Sequence, residues 1–453
     1  MRLPYPVKDF ENMKIVADDK IPFLKGVFEP YARVVYAPGG EIGKNELMTA
    51  DALLIRTRTR CTPELLEGTP VKFIATATIG FDHISPELRV PWSNAPGCNS
   101  GSVAQYVISA LLRLDDLPLR GRVLSVIGAG HVGSKVAAAG RAMGMTVLVN
   151  DPPRAEREGP EGFVPLDEAV ERADFLSFHV PLERLGKHAT FHLADRELLA
   201  RMKPGAVLLN TSRGEVADSA ALKEVLYSGR IRAVLDVWEN EPDPDPELLE
   251  LAAFATAHIA GYSTDGKANG TAAAVRAVAR ALNIPELIRF EVQDIPVPEN
   301  STIILPSGIP LKEALQLACE AGYDIRNDDR RLRAAPGSFE ALRGNYPLRR
   351  EPGAFVVENA PGCLKKLGFL VKSEVPLYWD DDRIRGEVSG EGAVLVNHSP
   401  ERISCVLTAS EMVRRIRKKG RTESDFVWLE NQQLNLVFQP FERVVLDFLT
   451  KEP

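Results

Sequence analysis

Residues 123–151 read VLSVIGAGHVGSKVAAAGRAMGMTVLVND, an apolar run, a glycine turn, a helix-like stretch and a second apolar run ending in an acid. The turn is Gly128-Ala129-Gly130-His131-Val132-Gly133, and Asp151 stands 151 − 133 = 18 residues beyond its last glycine. In such a strand, turn and helix, Gly128 permits the tight turn and Gly130 lets a pyrophosphate approach the backbone. Gly133 packs helix on strand, and the helix N-terminus faces the phosphates. Asp151 then accepts hydrogen bonds from ribose hydroxyls and repels a 2′-phosphate, which favours NAD over NADP. A turn that merely packs a βαβ unit needs neither the spacing nor the acid.

Working outward, FLSFHV, AVLLNTS, AVLDVW and ATAHIAG continue the strand rhythm, each ending at polar or glycine residues where open α/β sheets place ligands. Upstream, KIVAD, ALLIR and VKFIATAT alternate with helix-like stretches in a first α/β domain. Residues 1–12 precede its first run as a frayed extension or misassigned start. SVAQYVISALLRL (102–114) is apolar nearly all round and predicts a buried helix, while 265–282 predicts a helix returning the chain to the first domain. A cluster of proline and acidic residues marks a boundary near residue 290. Beyond it, LKEALQLACEAG predicts a helix and AFVVENAPGCLKKLGFLV a βαβ run. From about residue 375 the reading is a hairpin (RIRGEVSGEGAVLVN), a helix (SEMVRRIRKKG) and a terminal helix (ERVVLDFLT).

The 453 residues, 45% hydrophobic and 26% charged, are enough for about three domains with real cores. The net charge of −7 argues against a long-range field drawing in nucleic acid or anionic membrane, so an anionic ligand must be held by local groups. Five scattered cysteines form neither a CxxC nor a Cys/His cluster, which predicts no disulfide framework and no metal site. There is no apolar leader at the start and no stretch approaches the roughly 20 apolar residues of a membrane span. These features predict a cytoplasmic protein.

Three polar residues stand past later strands: Arg213 in LLNTSRGEV, Glu241 in DVWENEP and His258 in ATAHIAGYS. Singly, the arginine reads as a salt-bridge or capping residue and the histidine as a satisfied core residue. Together, beyond a nucleotide turn, they supply a cation for a carboxylate, a base for a hydroxyl proton and an anion that orients the imidazole, the needs of 2-hydroxy acid oxidation.

GAGHVG, NTSRGEV, DVWENEP and HIAGYS resemble the D-isomer-specific 2-hydroxyacid dehydrogenases over about residues 13–290. MKIVADDKIPF, ATATIGFDH, NAPGCN, DPPRA, AHIAGYSTDGKA and DIRNDDRRLR with FEALRGNYPLRRE are closer to the erythronate-4-phosphate dehydrogenase branch, in order and reaching about residue 374. This resemblance implies an α/β chain with two Rossmann-like doubly wound parallel-sheet domains, an α+β C-terminal dimerisation domain and a small extra tail. The substrate-binding domain would comprise 13–98 and 266–290, the NAD-binding domain 99–265, the dimerisation domain 291–374 and an α+β tail domain 375–453. It implies NAD as cofactor, a small phosphorylated 2-hydroxy acid as substrate and a homodimer.

Residue by residue, the resemblance implies that Arg213 binds and polarises the substrate and that Glu241 pairs with His258, which takes the hydroxyl proton. Thr57, Thr78 and Tyr262 would contact substrate. Asp151, Thr211, Ser212, Asp236 and Gly261 would line the cofactor with His131, Val132 and Val180. The family often has threonine at 180, so a backbone contact survives there and a hydroxyl contact does not. The substrate phosphate needs donors, for which Arg56 and Arg58 are nearest. Arg349 and Arg350 either reach over from a partner subunit or form a solvated surface run. Other dehydrogenases of phosphoglycerate or glycerate, and an NAD(H)-sensing corepressor of the same fold, share much of this machinery; the formate branch usually carries glutamine where Glu241 stands. In the tail, Arg414, Arg415, Arg417, Lys418, Lys419 and Arg421 read as solvated charges closing a helix rather than a nucleic-acid platform.

Overall fold

The computed structural model describes residues 13–114, 119–389, 392–410, 413–418, 427–428 and 433–450. The chain divides into two compact units, one formed by residues up to Gly101 with Gly261–Pro296, the other by Ser102–Ala260 with the chain from Val297 onward.

The first unit is built on five strands, β1 (Lys14–Asp18), β2 (Arg33–Ala37), β3 (Ala52–Ile55), β4 (Phe73–Thr76) and β5 (Trp92–Ser93), in the order β2-β1-β3-β4-β5. All pairs are parallel. Both sheet faces are covered, which explains why ALLI in β3 is buried at every position rather than at alternate ones. On one face, Ala274, Val275 and Val278 of the Thr264–Ala281 helix pack against Ala52, Leu54 and Ala75. That helix starts at Ser263, whose hydroxyl accepts from the Gly266 amide at 2.8 Å.

The second unit carries β6 (Val123–Ile127), β7 (Thr146–Asn150), β8 (Phe175–Phe178), β9 (Val207–Asn210), β10 (Arg232–Leu235) and β11 (Phe254–Ala255), ordered β11-β10-β9-β8-β6-β7. Every pair is parallel. The order reverses between β6 and β8, so a crevice opens past the carboxyl ends of those strands. The glycine turn follows β6 and leads into the His131–Ala142 helix.

The same unit continues through helices Leu311–Gly322 and Ile325–Ala334 and a parallel sheet of Thr302–Ile304, Val356–Glu358 and Leu370–Val371. Leu332 and Phe339 from this region are buried in one core with Leu208, Leu235, Trp238 and Ala257.

The tail differs from the sequence expectation. Its hairpin forms between Ile384–Val388 and Gly392–Asn397, but both expected helices are strands, Val413–Lys418 and Arg443–Thr450, paired antiparallel. The described tail residues contain strands and no helix, where the sequence expectation was an α+β tail. The cause of the first error is visible in the ladder: a register shift between Val413 and Arg415 lets residues three apart, Val413 and Ile416, face one core. In the second, Val444 and Leu446 are buried and Phe448 packs beside them, a strand alternation hidden in a continuous apolar run. Arg417 and Lys418 therefore close no helix; they pair with Asp447 at 3.1 Å and Glu442 at 2.7 Å. The Arg414 side chain, Lys419, Arg421 and residues 1–12 lie outside the described residues. Among the described residues no helix is long and apolar enough to cross a membrane.

Candidate active site

Gly128 has φ +89°, and a Cβ there would lie 2.6 Å from the carbonyl oxygen of His179, so only glycine makes this turn beside β8. A Cβ on Gly133 would lie 1.9 Å from the Gly128 oxygen and 3.1 Å from a Val126 methyl, so the helix sits close on both the turn and β6. Gly130, in contrast, has no atom within 4 Å of a Cβ position. That open backbone at the N-terminus of a 12-residue helix fits a pyrophosphate. Asp151 follows β7 and ties the turn down, accepting from the Ala129 amide at 2.8 Å and from the Arg154 amide at 3.0 Å. His131 is exposed, and Val132 and Val180 are half-buried beside the turn.

His179 follows β8. Its Nε2 lies 2.9 Å from the Ser177 hydroxyl and its Nδ1 3.3 Å from that of Thr211. Removal from water pushes its pKa down to about 3, so the ring is neutral at working pH. Past β9, the Ser212 hydroxyl donates to the Phe178 carbonyl at 2.7 Å, and Asn210 Nδ2 donates to the Arg213 carbonyl at 2.8 Å. This loop meets the next backbone to backbone: a Cβ on Gly214 would sit 1.9 Å from the Trp238 carbonyl carbon. Arg213 is held there, half-buried, with Nη1 donating to the Ser212 carbonyl at 2.8 Å.

Past β11, His258 Nδ1 lies 2.7 Å from Glu241 Oε2, while Glu241 Oε1 accepts from the Trp238 amide at 3.0 Å. With Nδ1–H donating to the carboxylate, Nε2 carries the lone pair and is free to take a proton. Burial works to raise the Glu241 carboxyl, but the hydrogen bond and charge of His258, the Trp238 amide and the charge of Arg343 outweigh it and hold the group below its ordinary value. The backbone of His258 is left-handed, φ +53°. Asp236 holds that turn: its carbonyl accepts from the His258 amide at 2.7 Å. Its carboxylate, 1% exposed, accepts from Thr256 Oγ1 and from the Ile259 and Ala260 amides at 2.6–2.9 Å.

From behind, the C-terminal region braces the same loop. Arg349 Nη1 donates to the Ile259 and Ala260 carbonyls at 3.3 Å, Nη2 donates to the Ser102 carbonyl at 2.6 Å, and Nε donates to Gln105 at 3.0 Å. Asp329 accepts from the Ala255 amide at 2.8 Å. Arg349 is 4% exposed within its own chain. It is therefore neither a solvated surface residue nor available to a partner's site, because its guanidinium is committed to backbone carbonyls, to Gln105 and to the Tyr346 side chain, with the Tyr323 ring 3.6 Å away. The neighbouring Arg350 carbonyl accepts from Gln105 Nε2 at 3.1 Å.

In the first unit, Thr57 is exposed in the turn after β3, and Arg56 Nη1 donates to the Lys20 carbonyl at 3.2 Å. Arg58 is exposed beside them. The Thr78 hydroxyl lies 2.6 Å from that of Thr76 and donates to the Gly80 carbonyl at 2.9 Å. Tyr262 lies under the Lys267 ammonium, 5.3 Å from the ring centre, and a Cβ on Gly261 would lie 2.1 Å from the Asn99 amide nitrogen. Sequence reasoning missed His179 and the positioning part played by Asp236, and it gave Arg349 to a partner's site or to solvent rather than to the His258 loop. The Arg349 contacts span 89 and 90 residues and leave no local signal.

A family model described as D-isomer specific 2-hydroxyacid dehydrogenase, NAD binding domain, matches residues 107–260, and one described as a domain of unknown function, DUF3410, matches residues 295–368. Erythronate-4-phosphate dehydrogenase of Bacteroides fragilis is 48% identical over 352 residues, spanning 76% of this chain and 98% of that protein. The Salmonella typhi protein of the same name is 41% identical over 372 residues, spanning 79% and 98%. D-Lactate dehydrogenase from Aquifex aeolicus, solved with NAD and lactic acid, matches with a TM-score of 0.50 and 27% identity over 61% of this chain and 98% of that one.

Proposed function

The chain belongs to the erythronate-4-phosphate dehydrogenases, a branch of the D-isomer-specific 2-hydroxyacid dehydrogenases, and from that premise we propose that it oxidises 4-phospho-D-erythronate in pyridoxal 5′-phosphate biosynthesis. The product is (R)-3-hydroxy-2-oxo-4-phosphooxybutanoate. NAD, when bound, supplies the acceptor for the C2 hydride. Gly128, Gly130 and Gly133 admit its pyrophosphate, and Asp151 receives the adenosine ribose. Arg213 holds the substrate carboxylate, and Thr57, Thr78 and Tyr262 contact the substrate. His258 takes the hydroxyl proton at Nε2, while Glu241 keeps the ring oriented and stabilises the imidazolium that results.

The observation that carries this reading is the 2.7 Å pair of His258 and Glu241, on loops past the same parallel sheet that bears the dinucleotide turn. Initial rates of NADH formation with 4-phospho-D-erythronate, 3-phosphoglycerate and D-erythronate test it. The first acid should have the highest kcat/KM. A preference for 3-phosphoglycerate would assign another dehydrogenase of the family, and NAD binding without turnover of any acid would assign a sensor.

We take residues 13–98 with 266–290 as the substrate-binding domain and 99–265 as the NAD-binding domain. The working form is a homodimer in the cytoplasm. Supporting the dimer, Ile304 and Leu370, on the two outer strands of the small parallel sheet in the C-terminal region, are 68% and 55% exposed. Supporting a reducing compartment, the five cysteines are all free thiols. Sedimentation of the purified protein checks the first point.

A further inference from the structure

In the first unit, β4 ends at Thr76, and Thr78 follows two residues on, a spacing that puts both hydroxyls on one side of an extended chain. The two hydroxyl oxygens lie 2.6 Å apart. Thr78 Oγ1 also lies 2.9 Å from the Gly80 carbonyl, and Thr76 Oγ1 lies 3.1 Å from His83 Nε2. Thr76 is buried, while Thr78 and His83 are half-buried. The segment is tied down beside them: the Thr78 carbonyl accepts from the Ala95 amide at 2.9 Å, and the Ile79 carbonyl accepts from Asn94 Nδ2 at 2.7 Å.

Each of these three contacts needs a hydrogen, and one arrangement alone supplies all of them. The Gly80 carbonyl has none to give, so the Thr78 hydroxyl donates to it. Thr76 then donates to Thr78, and His83 Nε2–H donates to Thr76. The opposite direction, from Thr78 through Thr76 to His83, leaves the Thr78 oxygen facing the Gly80 carbonyl at 2.9 Å with no hydrogen between them. Burial outweighs the nearby Asp82 charge and holds the His83 imidazole below its ordinary value, so the ring is neutral with its one hydrogen on Nε2. Thr78 thus has its hydrogen committed and one lone pair filled. To an arriving ligand it offers the other lone pair, which no donor among the described residues takes.

Building on the function proposed above, in which Thr78 contacts the substrate, we infer that the His83–Thr76–Thr78 chain fixes Thr78 as a hydrogen-bond acceptor for the C3 hydroxyl of 4-phospho-D-erythronate. It thereby selects 2,3-dihydroxy acids over 2-hydroxy acids that lack the second hydroxyl. The hydrogens of the substrate decide the partner. Its ionised carboxylate and phosphate have none to donate, and the C2 hydroxyl gives its only one to His258. The C3 hydroxyl is the donor that remains. His83 is a positioning residue, acting through Thr76 to turn both threonine hydroxyls one way. An acid without the C3 hydroxyl leaves the Thr78 lone pair unpaired in a closed site, and unpaired polar groups are the source of discrimination between such substrates.

The test compares kcat/KM for 4-phospho-D-erythronate and for its 3-deoxy analogue, D-2-hydroxy-4-phosphooxybutanoate, on the full chain with NAD. Wild type should prefer the dihydroxy acid about 10- to 100-fold. Thr78→Val should bring that ratio to within about threefold of unity, chiefly by loss on the dihydroxy acid, whereas Thr78→Ser should keep it. His83→Phe should cut the ratio at least about threefold, and His83→Gln, whose side-chain amide can donate from the place of Nε2, should restore it. A merely structural role would slow both acids alike and leave the ratio unmoved. A ratio that survives in Thr78→Val or in His83→Phe, or a wild type indifferent between the two acids, would overturn this inference alone; no recovery with His83→Gln would remove His83 from the chain. If Thr78→Val loses NAD affinity through misfolding, Thr78→Ala takes its place. A wild type that turns over neither acid, or prefers 3-phosphoglycerate to both, would overturn the functional reading and this inference with it.

Discussion

The guanidinium of Arg349 donates to the carbonyl of Ile259, 3.3 Å away and one residue past His258. The backbone that presents the histidine is thus gripped from two sides, by Asp236 through the amides of residues 258–260 and by Arg349 through the carbonyls of 259 and 260. A left-handed residue persists when its surroundings over-determine it, and here they do so at His258. Arg349→Met should cost about 3 kcal/mol in urea unfolding, since it leaves buried carbonyls unpaired, and should lower kcat more than it raises KM for NAD. Unchanged kcat in a destabilised variant would show that the brace serves the fold alone.

Asp151 caps the Arg154 amide and, in the proposed function, also receives the adenosine ribose; its replacement separates the two roles. Asp151→Ser removes the charge that repels a 2′-phosphate, while the serine hydroxyl can still cap Arg154. The ratio of kcat/KM with NAD to that with NADP should fall by at least about tenfold. An unmoved ratio would remove Asp151 from the ribose site.

The neutral His179 predicts a pH dependence of stability. Its folded pKa, about 3, lies below the ordinary 6.5, so as pH falls below 6.5 the unfolded chain takes up a proton that the folded chain refuses. Stability present above pH 6.5 is therefore lost between 6.5 and about 3, at up to about 1.4 kcal/mol per pH unit from this residue. His179→Gln abolishes that share. Urea unfolding of both proteins between pH 7 and 5 should show the stability of wild type relative to the variant declining with acidity; a constant difference would mean that His179 is protonated in the fold.

The tail is docked on the dehydrogenase unit through Arg120, which pairs with Asp380 at 3.3 Å and donates to Gln433 at 3.0 Å and Thr408 at 3.3 Å. Arg385 adds an ion pair to Glu313 at 2.7 Å. Arg120→Ala should lower stability by about 1–3 kcal/mol, leaving NAD affinity at the wild-type value, and a chain ending at Glu374 should melt lower still. Calorimetry checks both. An unchanged melting midpoint in the truncated chain would make the tail an independent module.

What the sequence made legible was local or repeated. The glycine turn and Asp151 lie within one βαβ unit, and the strands that precede Arg213, Glu241 and His258 are apolar runs with polar ends. The contacts between Arg349 and the His258 loop join segments about 90 residues apart, and a buried arginine looks no different in sequence from a surface one. In the tail, the bulge beside Val413 gave a strand the three-residue spacing of a helix, so periodicity pointed to the wrong element.

The central claim is that His258 takes the hydroxyl proton while NAD accepts the hydride from C2 of 4-phospho-D-erythronate. The most direct measurement is a single turnover of C2-deuterated substrate with NAD, following NADH absorbance and the position of the label, in wild type and in His258→Asn. The account predicts that wild type places deuterium on the reduced nicotinamide, and that His258→Asn binds NAD as tightly but transfers the label about 10² to 10⁴ times more slowly. Unlabelled NADH, or label transfer at the wild-type rate in the variant, would contradict it.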